Sequence, residues 1–129
     1  MEHLSFPDFR AAVLTEFPQL ANDFEGDDDL PYVQLGVFAK FTQAAKGRAD
    51  WDTYERCVRI ADRLLARASG DLENALHIAY LEHLDFDGPR GPKAWSLLSP
   101  ELQAAWRRIT RANEKLAALP RKKKKKVRD

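Results

Sequence analysis

The sequence predicts an all-α protein, a single-domain bundle of five to six helices, on three observations. Apolar residues recur at helical spacing in the long segments, no stretch alternates long enough to read as a strand, and Pro and Gly fall where helices start and stop. The centre of the predicted bundle is an apolar helix over about 71–85. There Leu72, Ala75, Leu76, Ala79 and Tyr80 share one face, while Ile78, Leu81 and Leu84 spread over the rest of the circumference. A helix apolar on most sides needs neighbours on most sides. The expectation is a wrapped segment that leaves surface acidity, not a reactive pocket, for function.

The first helix is capped by Ser5, with Pro7 in its first turn, where a missing N–H costs nothing. Phe9, Val13 and either Leu14 or Phe17 give its buried stripe, and Pro18 breaks or restarts it. Residues 22–29 read as an acidic loop. Pro31 opens a second helix whose expected inward stripe is Val33, Val37, Phe38 and Phe41, continued by Ala44 and Ala45. Gly36 inside it costs about 1 kcal/mol relative to Ala, and reads as a point of close approach for a packing helix ahead of a ligand.

Asp50 caps the third helix, 51–68, which has the cleanest pattern: Trp51, Tyr54, Cys57, Val58, Ile60, Ala61, Leu64 and Leu65 on one half, charge on the other. Asp52–Arg56 and Glu55–Arg59 are i, i+4 pairs in the favourable order. Gly70 reads as a stop and Asp71 as the cap of the central helix. After the Gly- and Pro-rich loop 86–92, a short helix covers 93–98. Ser99-Pro100 then restarts a last helix with Leu102, Ala105, Trp106, Ile109, Ala112 and Leu116 inward, ended by Pro120.

At 129 residues and 44% hydrophobic content, the chain is long enough for one domain with a substantial core. The net charge of +1 hides an asymmetry. Residues 120–129 hold seven basic residues and one acid, a sum of +6, so the 14 basic and 19 acidic residues of 1–119 sum to −5. The organisation is therefore an acidic helical domain, 1–119, and a polybasic tail, 120–129, expected to be disordered. A lone cysteine, Cys57, excludes an internal disulfide framework. No signal peptide is read at the start and no membrane span anywhere, so a cytoplasmic location is expected.

Chemistry-bearing constellations are sparse. The run Asp23, Glu25, Asp27, Asp28, Asp29 fails as a calcium loop, because an EF-hand from Asp23 needs Gly and Glu where Asp28 and Gln34 stand. It is a solvated loop or a patch that steers a basic partner. His77 and His83 are six apart, wrong for a shared metal; Glu73 and His77 share a helix face, and His83 falls on the apolar side. A hydrogen-bonded core histidine is favoured over a ligand or base. No phosphate loop or Cys-x-x-Cys is present, so no cofactor and no metal are expected. In the tail, Arg121, Lys122, Lys123, Lys124, Lys125, Lys126 and Arg128 form a charge block without interleaved aromatics. It reads as a solubilising end, a phosphate contact or an import-like signal, and base stacking is disfavoured.

The order Leu30-Pro-Tyr-Val, then Val37-Phe-Ala-Lys-Phe, then Ala68-Ser-Gly-Asp-Leu-Glu-Asn-Ala-Leu-His-Ile-Ala-Tyr-Leu-Glu-His-Leu, then Gly91-Pro-Lys-Ala-Trp-Ser-Leu-Leu resembles a family of small, all-helical bacterial proteins. That family resembles immunity proteins of polymorphic or contact-dependent toxin systems. The resemblance covers about residues 6–110 and omits the tail. It implies a non-enzymatic protein that occludes a cognate protein toxin, expected to be basic, a nuclease for example.

An acidic, compact body suits that role. The expected contacts are Glu25, Asp27, Asp28, Asp29 and Tyr32, with Glu82, Asp85, Asp87 and Arg90 as a second group. The alternatives are a nucleic-acid-associated accessory protein that uses the tail for non-specific phosphate contact, and an enzyme built on Glu73 and His77.

Overall fold

The computed structural model describes residues 4–25 and 30–117. Among them are seven α-helices and no strand; an isolated bridge joins Leu4 to Ala68. The elements are α1 (Phe6–Glu16), α2 (Ala21–Phe24), α3 (Pro31–Gly47), α4 (Trp51–Arg67), α5 (Gly70–Ala75), α6 (Gly91–Ser96) and α7 (Pro100–Ala117). Seven helices rather than five or six arise because short turns were read as loop. Residues 22–24, assigned to the acidic loop, belong to α2, whose Phe24 is fully buried.

The predicted caps form where side chains reach orphan N–H groups. The Ser5 backbone N–H donates to Asp8 at 2.8 Å, Thr53 N–H to Asp50 at 3.2 Å, and Leu102 N–H to Ser99 Oγ at 3.0 Å. Pro18 ends α1 as expected, and a 3-10 turn (Pro18–Leu20) leads into α2. At the start of the central segment the cap is Ser69, not Asp71, and Gly70 is the first helical residue, at φ +59°.

That segment is not one helix. After α5 the backbone widens into a π turn (Leu76–Tyr80) and tightens into a 3-10 turn (Leu81–His83). Ala79, Tyr80 and Leu81, three successive residues at this change of pitch, all lie in the core. The other side stays wet: Glu73, Asn74, Ile78, Glu82 and His83 are exposed. The segment is buried along one side, not wrapped.

The element that touches most of the others is α3, which packs on α1, α2, α4, α5 and the π and 3-10 turns. Its inner side carries Leu35, Phe38, Ala39 and Ala45, with the polar Gln34, Thr42 and Lys46 also buried. The expected stripe is therefore turned by about one residue: Val33 is 46% exposed, Ala44 is exposed, and Val37 and Phe41 are half-buried. Polar anchors explain the rotation. The Tyr80 hydroxyl lies 2.9 Å from Thr42 Oγ1, which donates to the Phe38 carbonyl at 2.9 Å, and the Tyr80 ring stacks on Phe38 at 5.0 Å. At the far end, Lys46 Nζ donates to the Asp85 carbonyl at 2.6 Å and to its carboxylate at 2.9 Å.

α4 matches expectation, with Tyr54, Cys57, Val58, Ile60, Ala61 and Leu64 buried. Arg56 pairs weakly with Asp52 at 3.5 Å and more closely with Glu16 at 2.7 Å, tying α4 to α1; Arg59 pairs with Glu55. α6 and α7 close the bundle through Phe86, Trp95 and Trp106, whose rings meet edge to face at 5.1, 5.2 and 5.4 Å. Gly91 permits this corner, since a Cβ there would lie 1.8 Å from the Phe86 carbonyl oxygen. Ala112, expected inward on α7, is exposed. No helix among the described residues is long and apolar enough to cross a membrane.

Candidate functional site

Tyr32 and Asp85, one from each expected contact group, lie at opposite ends of α3. Tyr32 stands on its first turn, where its hydroxyl accepts a bond from Asn74 Nδ2 at 3.0 Å and its ring meets Phe6 at 6.2 Å. Asp85 is held at the last turn by Lys46 and by Gln43 Nε2 at 2.9 Å. From residue 32 to residue 46 the helix rises about 21 Å, so Tyr32 and Asp85 do not belong to one cluster.

Glu25 is exposed at the end of α2; Glu82 is exposed and accepts from Asn113 Nδ2 at 3.2 Å. Asp87 and Arg90 are exposed in the loop before α6, where Arg90 is the N-cap. Asp27, Asp28 and Asp29 lie outside the described residues, as do Arg121, Lys122, Lys123, Lys124, Lys125, Lys126 and Arg128.

Asp85 has a structural task as well. Its hydrogen bond from Lys46, together with the ammonium charge, holds its carboxyl below the usual range against a smaller opposing effect of burial. Its side chain remains 59% exposed, so one edge is open to a partner.

Between the two groups runs a surface missed by the sequence reading. The outward side of α3 presents an apolar ridge, beginning at Leu30 (49% exposed) and Tyr32 (39%) and continuing through Val33 and Val37. On one flank lies a groove of about 460 Å³ lined by Val33, Gly36, Val37, Ala39, Lys40, Gln43 and His83. On the other flank is a depression of about 500 Å³ lined by Leu20, Asp23, Val37, Lys40, Phe41 and Ala44. His83, expected on the apolar side of its helix, is exposed at the groove wall.

Gly36 opens into this groove. A Cβ added there meets no atom within 4 Å, so close packing of a neighbouring helix does not explain it. The available sequence signal is the apolar circumference of α3: both faces are apolar, so the expected stripe combines the fully buried Phe38 and Ala45 with the exposed Val33 and Ala44.

A second depression, about 620 Å³, lies between α4, α7 and the central segment. It is lined by Asp62, Arg63, Glu73, His77, Glu101 and Arg108 over an apolar floor of Leu65, Ala66, Ala104 and Ala105. The expectation of no cleft with histidine and carboxylates is corrected here: the exposed side of the central segment forms one wall. His77 is half-buried, not a core histidine; burial lowers its pKa and Glu73 opposes that shift. Asp62 accepts from Ser99 Oγ at 2.8 Å. No group of three His, Cys, Asp or Glu side chains suited to a metal occurs among the described residues. Cys57 is a core residue whose thiol is pushed up to about 12 by burial, which leaves it protonated and unreactive at neutral pH.

In comparison with known proteins, the model of a family described as a domain of unknown function, DUF7674, matches residues 10–114. No curated protein and no solved structure matches the chain.

Proposed function

We propose that this chain, which belongs to the DUF7674 family of unknown function, is a cytoplasmic immunity protein that binds a cognate bacterial toxin and neutralises it by occlusion, without catalysis. The observation that carries this reading is the outward side of α3, an exposed apolar ridge with Asp23 on one flank and Asp85, bonded to Gln43, on the other, on a body, residues 1–119, of net −5. Exposed apolar area bordered by charge is what a protein-binding surface needs: the apolar part supplies affinity and the carboxylates steer a basic partner. The contact groups are Glu25 with Tyr32, and Glu82 with Asp85, Asp87 and Arg90; Asp27, Asp28 and Asp29 belong to the first by sequence.

The test is co-expression with the product of the adjacent upstream gene. An equimolar complex that protects cells from that product supports the reading; neither complex nor protection overturns it. Reversing Asp27, Asp28 and Asp29 to Lys slows association, more at low salt, because steering between exposed charges is screened within about 10 Å at 0.1 M salt.

The depression at His77 favours a second reading, an enzyme in which Glu73 and His77 act together. A double Glu73→Gln, His77→Asn variant that keeps stability and complex formation but loses biological activity would favour it. A nucleic-acid role for the tail is separable: Gln at positions 122–126 would abolish salt-sensitive DNA or RNA binding and leave protection intact.

A further inference from the structure

We infer that the outward side of α3 is a docking surface whose occupant is a partner segment with apolar side chains flanked by basic ones. The segment seats over Val33, Gly36 and Val37. This rests on the toxin-binding reading for the partner's identity, but not for the surface or its chemistry.

Two observations point to close approach by something outside the chain. The sequence places a helix-weakening Gly at position 36 of the most connected helix, and the fold makes no packing use of it, because a side chain there would meet open space. The same helix buries Gln34, Thr42 and Lys46 while Val33 stays nearly half exposed. A helix that buries polar residues beside its apolar ones while Tyr32 and Val33 stay exposed has been oriented by its polar anchors, and its outer side lacks the cover that apolar surface ordinarily receives.

The occupant's chemistry follows from the flanks. Asp23 lines the depression on the α2 side, while on the other side His83 lines the groove. At that wall Gln43, which lines the groove, donates to Asp85 at 2.9 Å, and the Asp85 side chain is 59% exposed. Carboxylates on both flanks call for Lys or Arg on both sides of an apolar centre. They also oppose a second copy in this position, since two such surfaces face to face would bring carboxylate flanks together. Lys40, between the two depressions, offers its stem to the apolar centre and its ammonium to a backbone carbonyl of the segment.

The experiment uses the full chain, labelled with ¹⁵N, and two synthetic amphipathic peptides, one of Leu and Lys and one of Leu and Glu. Saturable shifts at the Val33, Gly36, Val37 and His83 amides with the Lys peptide alone, weakened at least tenfold by 0.5 M salt, are expected. Gly36→Gln, which fills the groove, weakens that binding at least tenfold while the thermal midpoint stays the same or rises by a few degrees, about 4 °C for a gain the size of the Gly-to-Ala difference.

The inference is overturned by peptide shifts that map to another surface, or by unchanged peptide binding in Gly36→Gln. It is overturned in favour of a second copy if the same amides shift with protein concentration alone. It is overturned in favour of the chain's own basic tail if Gln at 122–126 moves them without peptide. If the peptide results hold and the adjacent gene's product is not bound, the toxin reading falls and the docking surface stands. If that product is bound equally by Gly36→Gln, the toxin reading stands and this surface is not its interface.

Discussion

Helices α3 and α4 have the same length, 17 residues, and neighbouring places in the bundle, yet they relate to their sequences in opposite ways. In α4 charge and apolar residues occupy separate halves, and the half that looks buried is buried. In α3 apolar residues run round the circumference, and the side turned inward is the one carrying Gln34, Thr42 and Lys46. The difference teaches that a segregated pattern fixes orientation by desolvation alone, whereas an all-round apolar helix is oriented by whichever polar groups find partners. Thr42 finds Tyr80, and Lys46 finds Asp85. The opposite orientation would strand the Tyr80 hydroxyl in the core and unpair the Lys46 ammonium, while the choice among Val faces changes little.

Substitutions can break this comparison or sharpen it. The largest effect is expected on α4, where Leu64→Ala removes a buried side chain and lowers the unfolding free energy by about 2–5 kcal/mol in urea titration. Next comes the anchor of α3. Thr42→Val leaves the Tyr80 hydroxyl buried without its partner and costs about 1–3 kcal/mol. The double variant Thr42→Val, Tyr80→Phe recovers much of that loss, and a double-mutant cycle measures the coupling.

The second anchor has a pH signature. The Asp85 carboxyl is held low in the folded state chiefly by its hydrogen bond from Lys46. Its contribution is therefore present above the unfolded-state value, about 3.9, and is lost as pH falls through the lowered folded value. Thermal midpoints of the parent and Lys46→Met differ above about pH 4 and converge at lower pH.

Smaller still, and opposite in sign, Gly36→Ala stabilises by up to about 1 kcal/mol, because its methyl group meets no neighbour. Smallest is Val33→Ser on the outward side, expected within about 0.5 kcal/mol of the parent. A loss of 2 kcal/mol there would mean that Val33 belongs to the core and that the contrast between the helices is false.

Legibility of the fold followed the same division. The caps at Ser5, Asp50 and Ser99, the break at Pro18 and the buried half of α4 rest on contacts within a few residues, and all were readable. Phe24 was placed in a loop because Asp and Asn around it dominate the local pattern, yet its ring packs 6.0 Å from Phe9 in the core. The candidate site was legible in its charges but not in its shape. Tyr32, Glu82 and Asp85 were picked out by residue type; the groove between them needed the orientation of α3, and the depression at His77 needed the placement of α7 against the central segment.

By itself the sequence determined helix class, most helix ends and which half of α4 is wet, since propensity, capping and segregated polarity act over a turn or two of chain. Only the tertiary structure decided which way α3 faces, how the segment after Ala75 changes pitch, and which apolar residues remain uncovered. Those outcomes hang on bonds between residues about forty positions apart, Thr42 to Tyr80 and Lys46 to Asp85. One well-paired polar group in a core outweighs the small difference between two apolar faces, and local periodicity carries no record of which distant partner will be there.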